Sequence, residues 1–379
     1  MVSLFCASTA GTVTLLTTLF HSALWFPVPS KSELAFKEIV ENVRRNEALY
    51  DDIEVSLHQS YQSKHATFSF SDGRQEITGE QKRIRHVTQK GMFRLERLGT
   101  NTVGVEAKQM TSDRVRAFDG KSTRSFDQRA RGNIVAGRSE DAEFVRPHMM
   151  LLRQPRWLHV PLSTFMEGHT AMAAHPNIQW EPELIMENTY QGEVEFQGMK
   201  CHKIWLTTIN KSKATANDRW ELWLAEERNY IPVRMFGYLF GWSKEIPVGE
   251  GTVNEIREIA PGIWFPYATR VVRYDDIVIQ RENRQQESWR EEHVVEEVSL
   301  DPKYDIEFFR NVDFPDGTAV YEVEDRKIVR SYVQGSPEAP GGPAGGSISR
   351  RWWFLWANAA IVVVIAGLLV ARKLYSTSR

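Results

Sequence analysis

Apolar and polar residues alternate at helical spacing near the start of the charged part of the chain. In residues 32–48, Phe36, Ile39 and Val43 lie three or four positions apart, which is the pattern of one apolar helix face. Ser32 stands where an N-cap would, and Glu33 gives an acidic first turn. The pattern predicts an amphipathic helix over residues 32–48.

The spacing then changes to a period of two, which is typical of strands with one buried face. Residues 53–61 place Ile53, Val55 and Leu57 on one side of such a strand. Strands with similar signals are expected at 81–98 (two, joined at Lys90-Gly91), 114–126 (a hairpin), 190–209 (a hairpin), 219–224, 232–240, 252–259, 263–274 and 287–300. Asp119-Gly120 predicts a type I′ turn, and Gln197-Gly198 marks the turn of the second hairpin.

Residues 145–170 break this alternation, because Pro residues punctuate a segment rich in Met and Leu. We expect one or two short helices or a lid-like insertion there. Roughly a dozen strands in successive hairpins, with few helices between them, favour an antiparallel sheet over a parallel α/β fold. The predicted fold class is therefore mainly β (α+β), with a large antiparallel sheet forming an incomplete barrel, an N-terminal helix and short lid helices.

The C-terminal run 352–371 has 20 residues without a charge, enough to span about 30 Å of bilayer as a helix. Trp352, Trp353 and Trp356 gather at one end of it, as in an interfacial aromatic belt. We predict a transmembrane helix, plus a short basic cytoplasmic tail at 372–379. Five Gly and three Pro in residues 334–349 indicate a flexible linker, which we assign to 334–351. The main domain is then 31–333.

The N-terminal segment 1–30 also lacks charge, and residues 11–29 resemble the core of a signal peptide. It has no basic n-region and no clear cleavage site. A cleaved secretory signal, an uncleaved signal anchor and a wrongly chosen start codon all fit this segment.

Composition excludes several classes of function. With 47 basic against 49 acidic residues, the chain has no basic excess for nucleic acid. Two cysteines, Cys6 and Cys201, cannot build a disulfide scaffold or a zinc ribbon. The histidines are dispersed, and no motif of a nucleophile elbow, zinc protease or dinucleotide fold stands in a fitting context. We therefore predict no catalytic residue, metal or cofactor, and a protein that is not an enzyme.

Aromatic side chains are the remaining candidates for a binding site. In residues 219–224, Trp220 and Leu222 face one side, whereas Trp223 faces the other with Glu221. A strand with large apolar groups on both faces is either packed on both sides or lines a cavity with one of them, and both interpretations stay open here. The candidate cavity residues are Trp205, Trp220, Leu222, Trp223, Phe236, Tyr238 and Trp264.

The segments RWELWLAEERNYIPVRM (219–235) and GIWFPYATRVVRYD (262–275), after an amphipathic helix and long hairpins, resemble the bacterial lipoprotein-carrier superfamily. That superfamily contains the carriers LolA and LolB and the regulator RseB. VDFPDGTAVYEV (312–323) resembles the closing element of membrane-tethered homologues. The likeness covers about residues 45–325 in the order of elements. No residue matches a known functional position of the carriers.

The resemblance implies an incomplete antiparallel barrel around an apolar cavity that holds acyl chains and is partly closed by helices. Residues 145–170 would be the lid, with apolar contacts from Met149, Met150, Leu151, Leu152 and Phe165. A chain tethered at 352–371 cannot shuttle cargo, which departs from the soluble carriers.

We therefore expect a single-pass protein of the bacterial inner membrane whose periplasmic domain binds an acyl chain, a lipid or a lipoprotein. The alternative is an RseB-like envelope sensor or scaffold that acts through a protein partner in the membrane. The short tail leaves no cytoplasmic domain to carry a signal.

Overall fold

A computed structural model of the chain describes residues 31–63, 77–103, 108–127, 131–137, 146–152, 160–174, 183–212, 215–325 and 327–336. The predicted segments 1–30, 352–371 and 372–379 lie outside these ranges, as does most of the predicted linker. Within the described residues, no helix has the length and apolar character needed to cross a membrane.

The described chain forms five α-helices and sixteen strands. The helices are α1 Lys31–Glu47, α2 Leu162–Glu167, α3 His169–Ala174, α4 Asp276–Glu282 and α5 Ile306–Arg310. The strands are β1 Ile53–Ser63, β2 Ile77–Gln89, β3 Met92–Val103, β4 Lys108–Thr111, β5 Arg114–Phe118, β6 Ser122–Asp127, β7 Arg131–Ala136, β8 Leu184–Phe196, β9 Met199–Asn210, β10 Thr215–Ala225, β11 Ile231–Leu239, β12 Gly249–Ala260, β13 Ile263–Tyr274, β14 Glu287–Leu300, β15 Ala319–Glu324 and β16 Lys327–Val333.

All sixteen strands belong to one sheet, in the order β16-β15-β7-β6-β5-β3-β2-β1-β14-β13-β12-β11-β10-β9-β8, with β4 paired to β3. Two antiparallel runs, β1–β7 and β8–β14, are joined where β1 pairs with β14. The pairing of β15 with β7 is parallel. The predicted mainly β class, the large antiparallel sheet and the N-terminal helix are confirmed. The sheet is open, and the predicted incomplete barrel stays a prediction.

Local turn chemistry produces the hairpins at the predicted places. Lys90 and Gly91 both take positive φ, at 51° and 77°, and so do Gln197 and Gly198, at 52° and 75°, as two-residue hairpin turns require. The type I′ prediction at Asp119-Gly120 is wrong, because in this fully described loop only Gly120 takes a positive φ. The Asp119 carboxylate instead accepts hydrogen bonds from the backbone N–H groups of Lys121 and Ser122, at 2.9 and 2.8 Å, and closes a three-residue loop.

The structure contains four more strands than expected: β4, β7, β15 and β16. Three of them form one edge of the sheet, and β4 pairs only with the end of β3. Short edge strands bury few side chains, so they need no long alternation of apolar and polar residues. This explains why the periodicity did not reveal them.

One side of the sheet carries the buried residues of β1, namely Ile53, Val55 and Leu57. We call it the helix face. Residues that pair directly across neighbouring strands lie on the same face. Successive pairs connect Tyr61 on β1 to Leu222 on β10, so Leu222 also lies on the helix face. Two core clusters lie on the helix face, a larger one over β8–β13 and a smaller one around β1, β2, β3, β13 and β14.

The chain crosses the opposite face between β14 and β15. Tyr304 donates a hydrogen bond to Glu54 Oε2 at 2.7 Å, and Arg94 Nη1 donates to the Phe308 carbonyl at 2.8 Å. Phe309 of α5 is fully buried there. The crossover thereby covers the outer side of β1–β6, while the helices cover the other side of the C-terminal half.

Candidate functional site

A helical lid covers the helix face of the C-terminal strands. It consists of the 3-10 turn Pro147–Met150 with Leu151 and Leu152, and of helices α2 and α3. The turn contacts β11 and β13, α3 contacts β8, and α1 packs against α2. The predicted lid residues Met149, Met150, Leu151, Leu152 and Phe165 all belong to it, and their side chains are buried. The expectation of short helices in this segment is confirmed.

Methionine is frequent in the interior between lid and sheet. Of the ten methionines in the chain, seven are buried: Met149, Met150, Met166, Met172, Met186, Met199 and Met235. Five of them belong to the large core cluster, where they pack with Leu206, Leu222 and Phe165. Methionine is unbranched, and three side-chain torsions let it fill spaces of irregular shape. The methionines therefore give parts of this interior freedom to repack.

Gly251 of strand β12 leaves room for the side chain of Leu151 in the lid turn. A Cβ atom on Gly251 would lie 3.2 Å from both Leu151 Cδ2 and Met235 Cε. A Cβ atom there would make tight contacts, so the side chain of Leu151 or Met235 would have to shift by a few tenths of an ångström.

Polar groups at the margin of this apolar interior hold the lid turn in place. Thr269 Oγ1 donates a hydrogen bond to the Met150 carbonyl at 3.2 Å and lies 3.0 Å from His293 Nδ1. His293 Nε2 lies 2.8 Å from Glu291 Oε1, which accepts a hydrogen bond from Gln59 Nε2 at 2.5 Å. All four side chains are buried. Because buried polar groups are costly when unpaired, this chain of contacts favours the docked position of Met150.

A second polar contact fixes helix α2. Its N-cap is Pro161, which makes no side-chain cap. Glu47, the last residue of α1, replaces the cap: Oε1 accepts from the Leu162 N–H at 2.5 Å, and Oε2 accepts from the Ser163 N–H and hydroxyl at 3.2 and 2.6 Å. Arg146 Nη1 lies 3.6 Å from Glu47 Oε1. A buried carboxylate thus joins the N-terminal helix to the lid.

His148 is enclosed in the same region. Its Nε2–H donates to the Val160 carbonyl at 3.2 Å, and its Nδ1 lies 3.8 Å from Glu47 Oε1. Burial, reinforced by the charge of Arg146, lowers the pKa of His148 to about 3. The imidazole is therefore neutral while the lid is docked.

The predicted cavity residues are distributed over both sides of the sheet. Trp220 and Leu222 lie buried on the helix face, with the Trp220 ring over Gly237. The half-buried side chains on the opposite face are Trp205, Trp223, Phe236 and Tyr238. Trp264 is half-buried, and the Arg228 guanidinium stacks 3.7 Å from its ring centroid. The structure thus brings Trp220 and Leu222 to the lid interior and the other four strand residues to a separate surface.

That separate surface combines aromatic rings with guanidinium groups, and we call it the aromatic–arginine surface. Arg219 lies 4.2 Å from the Trp205 centroid and 4.5 Å from that of Tyr238. Arg234 contacts the rings of Trp223 and Phe236 at 5.4 and 4.7 Å. Such cation–π contacts hold the cations flat against the sheet.

Glu221 lies at the centre of the aromatic–arginine surface. Its two oxygens accept hydrogen bonds from Trp223 Nε1 at 2.8 Å and Trp205 Nε1 at 2.9 Å, and Lys203 Nζ lies 3.0 Å away. Burial opposes ionisation, but the hydrogen bonds from Trp223, Lys203 and Trp205 outweigh it and lower the pKa of Glu221. The carboxylate is therefore charged at neutral pH and fixes both indole rings.

Sequence reasoning missed the polar contacts that hold the lid. Glu47, Thr269, His293 and Glu291 carry no motif, and their partners lie far away along the chain. The glycine at 251 was the one available signal, because glycine inside a strand indicates close approach of another segment. Among the described residues, no group of His, Cys, Asp and Glu could hold a metal ion.

No protein-family model matches the chain. No curated protein matches it either. The chain is similar to solved structures of lipoprotein-sorting and LolA-superfamily proteins.

Three of these structures cover 72% of the chain each. They are a putative outer membrane lipoprotein-sorting protein domain from Vibrio parahaemolyticus (10% identity, TM-score 0.39, 94% of that chain), a DUF1329 family protein from Desulfovibrio piger (13%, 0.38, 96%) and a LolA superfamily protein from Nitrosomonas europaea (7%, 0.32, 96%).

Proposed function

We propose that the protein binds a flexible apolar chain, the acyl chain of a lipid or lipoprotein, between the helix face of β8–β14 and the lid. The observation that supports this most directly is the methionine-rich interior beneath short helices that polar contacts hold down. The role is binding, without chemistry on the ligand. In this proposal the described conformation is the closed state, in which the lid's own side chains fill the space.

Burial of an acyl chain gains more free energy than the exposure of a few large lid side chains costs. Undocking exposes large side chains such as Leu151, Leu152 and Phe165, each costing about 2 kcal/mol. A ligand chain of about sixteen methylenes gains about 13 kcal/mol when it is buried, at about 0.8 kcal/mol per methylene. The methionines supply the adaptable wall that a chain of variable length needs. An acyl chain can therefore displace the lid, whereas a small apolar molecule cannot offset the cost.

We further propose that binding occurs outside the cytoplasm, in a protein tethered to the bacterial inner membrane by residues 352–371. Such a tether confines the domain to lipids and lipoproteins near one membrane. The uncharged run and the basic residues on both sides of it support the tether.

Fluorescence titration of the purified, delipidated full-length chain with cis-parinaric acid tests the binding role. Wild type should show saturable binding. Leu151→Ala removes a fully buried lid contact, which lowers the cost of opening by about 3 kcal/mol, so this variant should bind the probe more tightly. Leu98→Ala is the matched control, because Leu98 is exposed on the opposite face. Absence of saturable binding, or equal affinity in all three proteins, would contradict the proposal.

The aromatic–arginine surface favours a second candidate, a sensor or scaffold that binds a protein partner. Arginine and large aromatic residues concentrate at protein interfaces. Cross-linking in membranes should then yield an adduct that is lost with Arg234→Ala and retained with Arg83→Ala, an exposed cation elsewhere on the same face. If both variants keep the adduct, the surface serves only the stability of the sheet.

A further inference from the structure

A row of directly paired residues crosses the helix face beneath the lid turn. Gln59 of β1 is paired with His293 of β14, which in turn is paired with Thr269 of β13. The next residue of the row is Val253 of β12, which belongs to the larger core cluster. All four side chains are buried. The polar residues of the row therefore end at Thr269, where the apolar interior of the C-terminal half begins.

The hydroxyl proton of Thr269 points towards the lid. A hydroxyl carries one proton, and Thr269 Oγ1 lies 3.2 Å from the Met150 carbonyl and 3.0 Å from His293 Nδ1. The carbonyl can only accept, so it takes the hydroxyl proton, and His293 Nδ1 donates to Thr269 Oγ1. We assign the Nδ1–H form of His293 from this count. The assignment holds whether the proton between His293 Nε2 and Glu291 lies on nitrogen or on oxygen.

The lid turn therefore supplies the acceptor for a buried donor. Thr269 is 2% exposed, and both Val253 opposite it and Val271 two residues further along β13 belong to the larger core cluster. When the turn undocks, the hydroxyl loses the Met150 carbonyl, and His293 Nδ1 cannot replace that acceptor because it also donates. A buried donor without an acceptor is costly. The opened site thus favours a ligand that places an oxygen where the Met150 carbonyl lay.

We propose that Thr269 binds the ester carbonyl oxygen of the acyl ligand, in the place that the Met150 carbonyl occupies in the closed state. The inference rests on the proposed function and adds the polar group by which the ligand is recognised. An ester carbonyl is a neutral acceptor, like the backbone carbonyl that it replaces, and it lies at the end of an esterified acyl chain. A carboxylate at the same place would bury a charge in an apolar interior, which is costlier.

A matched pair of lipids tests the carbonyl contact. The delipidated full-length chain, held in amphipol, is incubated with equal amounts of dioleoylglycerol and its diether analogue dioleylglycerol, and the bound lipids are counted by native mass spectrometry. Both lipids have chains of the same length and one free hydroxyl, but the diether has no carbonyl oxygen. Wild type should favour the diester by about tenfold, because the diether leaves one buried donor without an acceptor. Both lipids must displace the lid, so this ratio does not depend on the free energy of lid opening.

Two substitutions of Thr269 separate its hydroxyl from its packing. Thr269→Val removes the hydroxyl and keeps the shape of the side chain, so this variant should bind the diester and the diether equally. Thr269→Ser retains the hydroxyl and should retain the preference for the diester.

The matched control is Thr252→Val. Thr252 is paired with Arg270, the neighbour of Thr269 in the chain, and therefore lies on the opposite face of the sheet. It should behave as wild type. The temperature of unfolding of each protein shows whether a loss reflects the site or the fold.

A third arm adds oleic acid in competition with dioleoylglycerol, which distinguishes an acyl ester from the free fatty acid. Wild type should retain the diester against an equal amount of the acid. If oleic acid displaced the diester from wild type but not from Thr269→Val, the free acid would be the ligand, and the ester assignment would be wrong.

The outcomes separate the two proposals. Equal binding of the diester and the diether by wild type, or the same preference in wild type and Thr269→Val, would overturn the carbonyl contact and leave acyl binding intact. Binding of neither lipid would overturn the proposed function and this inference with it.

Discussion

Replacing Glu47 by Gln should release the lid without disturbing the sheet. Glu47 accepts three hydrogen bonds from residues at the start of α2, one from Leu162 and two from Ser163. Glutamine has nearly the same shape, but it lacks the charge and offers one oxygen in place of two. The NH₂ group of the glutamine would face backbone N–H groups, and two donors cannot form a hydrogen bond with each other.

The structure gives the size of the effect. A hydrogen bond to a charged group contributes about 1.5–3 kcal/mol, and the substitution loses at least one such bond and weakens the others. We expect lid docking to weaken by about 3 kcal/mol. At 1.36 kcal/mol for each factor of ten, this raises the undocked population by about 100-fold.

Amide hydrogen exchange measures that population. The Phe165 and Met172 N–H groups bond to the carbonyls of Pro161 and Gly168 inside the lid, so they exchange only when it opens or unfolds. Both should exchange about 100-fold faster in Glu47→Gln, whereas amides of β9 and β10 should not change.

Glu41→Gln is the matched control for the Glu47 substitution. Glu41 lies on the exposed side of the same helix and pairs with Arg44. Exchange in Glu47→Gln that matches this control would refute the conclusion that Glu47 holds the lid.

Three further predictions concern other contacts of the sheet and lid. Because the pKa of His148 is about 3 in the folded protein and 6.5 when exposed, its contribution to stability is complete above pH 6.5 and falls as the pH drops from 6.5 towards 3. Urea titrations should show about 2 kcal/mol lost at pH 5, and less of this pH dependence in His148→Gln. Gly251→Ala should weaken docking of the lid turn by about 1 kcal/mol, which would be visible as faster hydrogen exchange of the Leu151 amide. Unchanged exchange would contradict the close packing of Leu151 on Gly251. Glu221→Gln should lower the free energy of unfolding in denaturant by about 1–2 kcal/mol, because either Trp205 Nε1 or Trp223 Nε1 loses its hydrogen-bond acceptor. An unchanged midpoint would show that the carboxylate contributes nothing to stability.

Local chemistry explains what could be predicted for individual elements. The spacing of Phe36, Ile39 and Val43 was enough to predict one helix. The turn at Lys90-Gly91 needs only two residues that accept positive φ. Period two also separated Trp220 from Trp223 correctly, because neighbouring strand residues point to opposite sides. These signals act over a few residues and do not need the rest of the chain.

Placement of the candidate site needed the sheet as a whole. Periodicity divides the aromatic residues into two sets, but it does not tell which set the lid covers. The covered face is the one on which Leu151 lies close to Gly251, 100 residues further along the chain. Trp205 and Tyr238 consequently lie on the uncovered side of the same strands.

The amino-acid pattern alone determined the helix at the start, the hairpin turns and the two-sided character of the aromatic strands, because each depends on backbone preferences within a few residues. Only the tertiary structure decided which face the lid covers and how Glu47 caps α2. The reason is that strand order and register bring together residues far apart in the chain, and their contacts leave no periodic trace in the sequence.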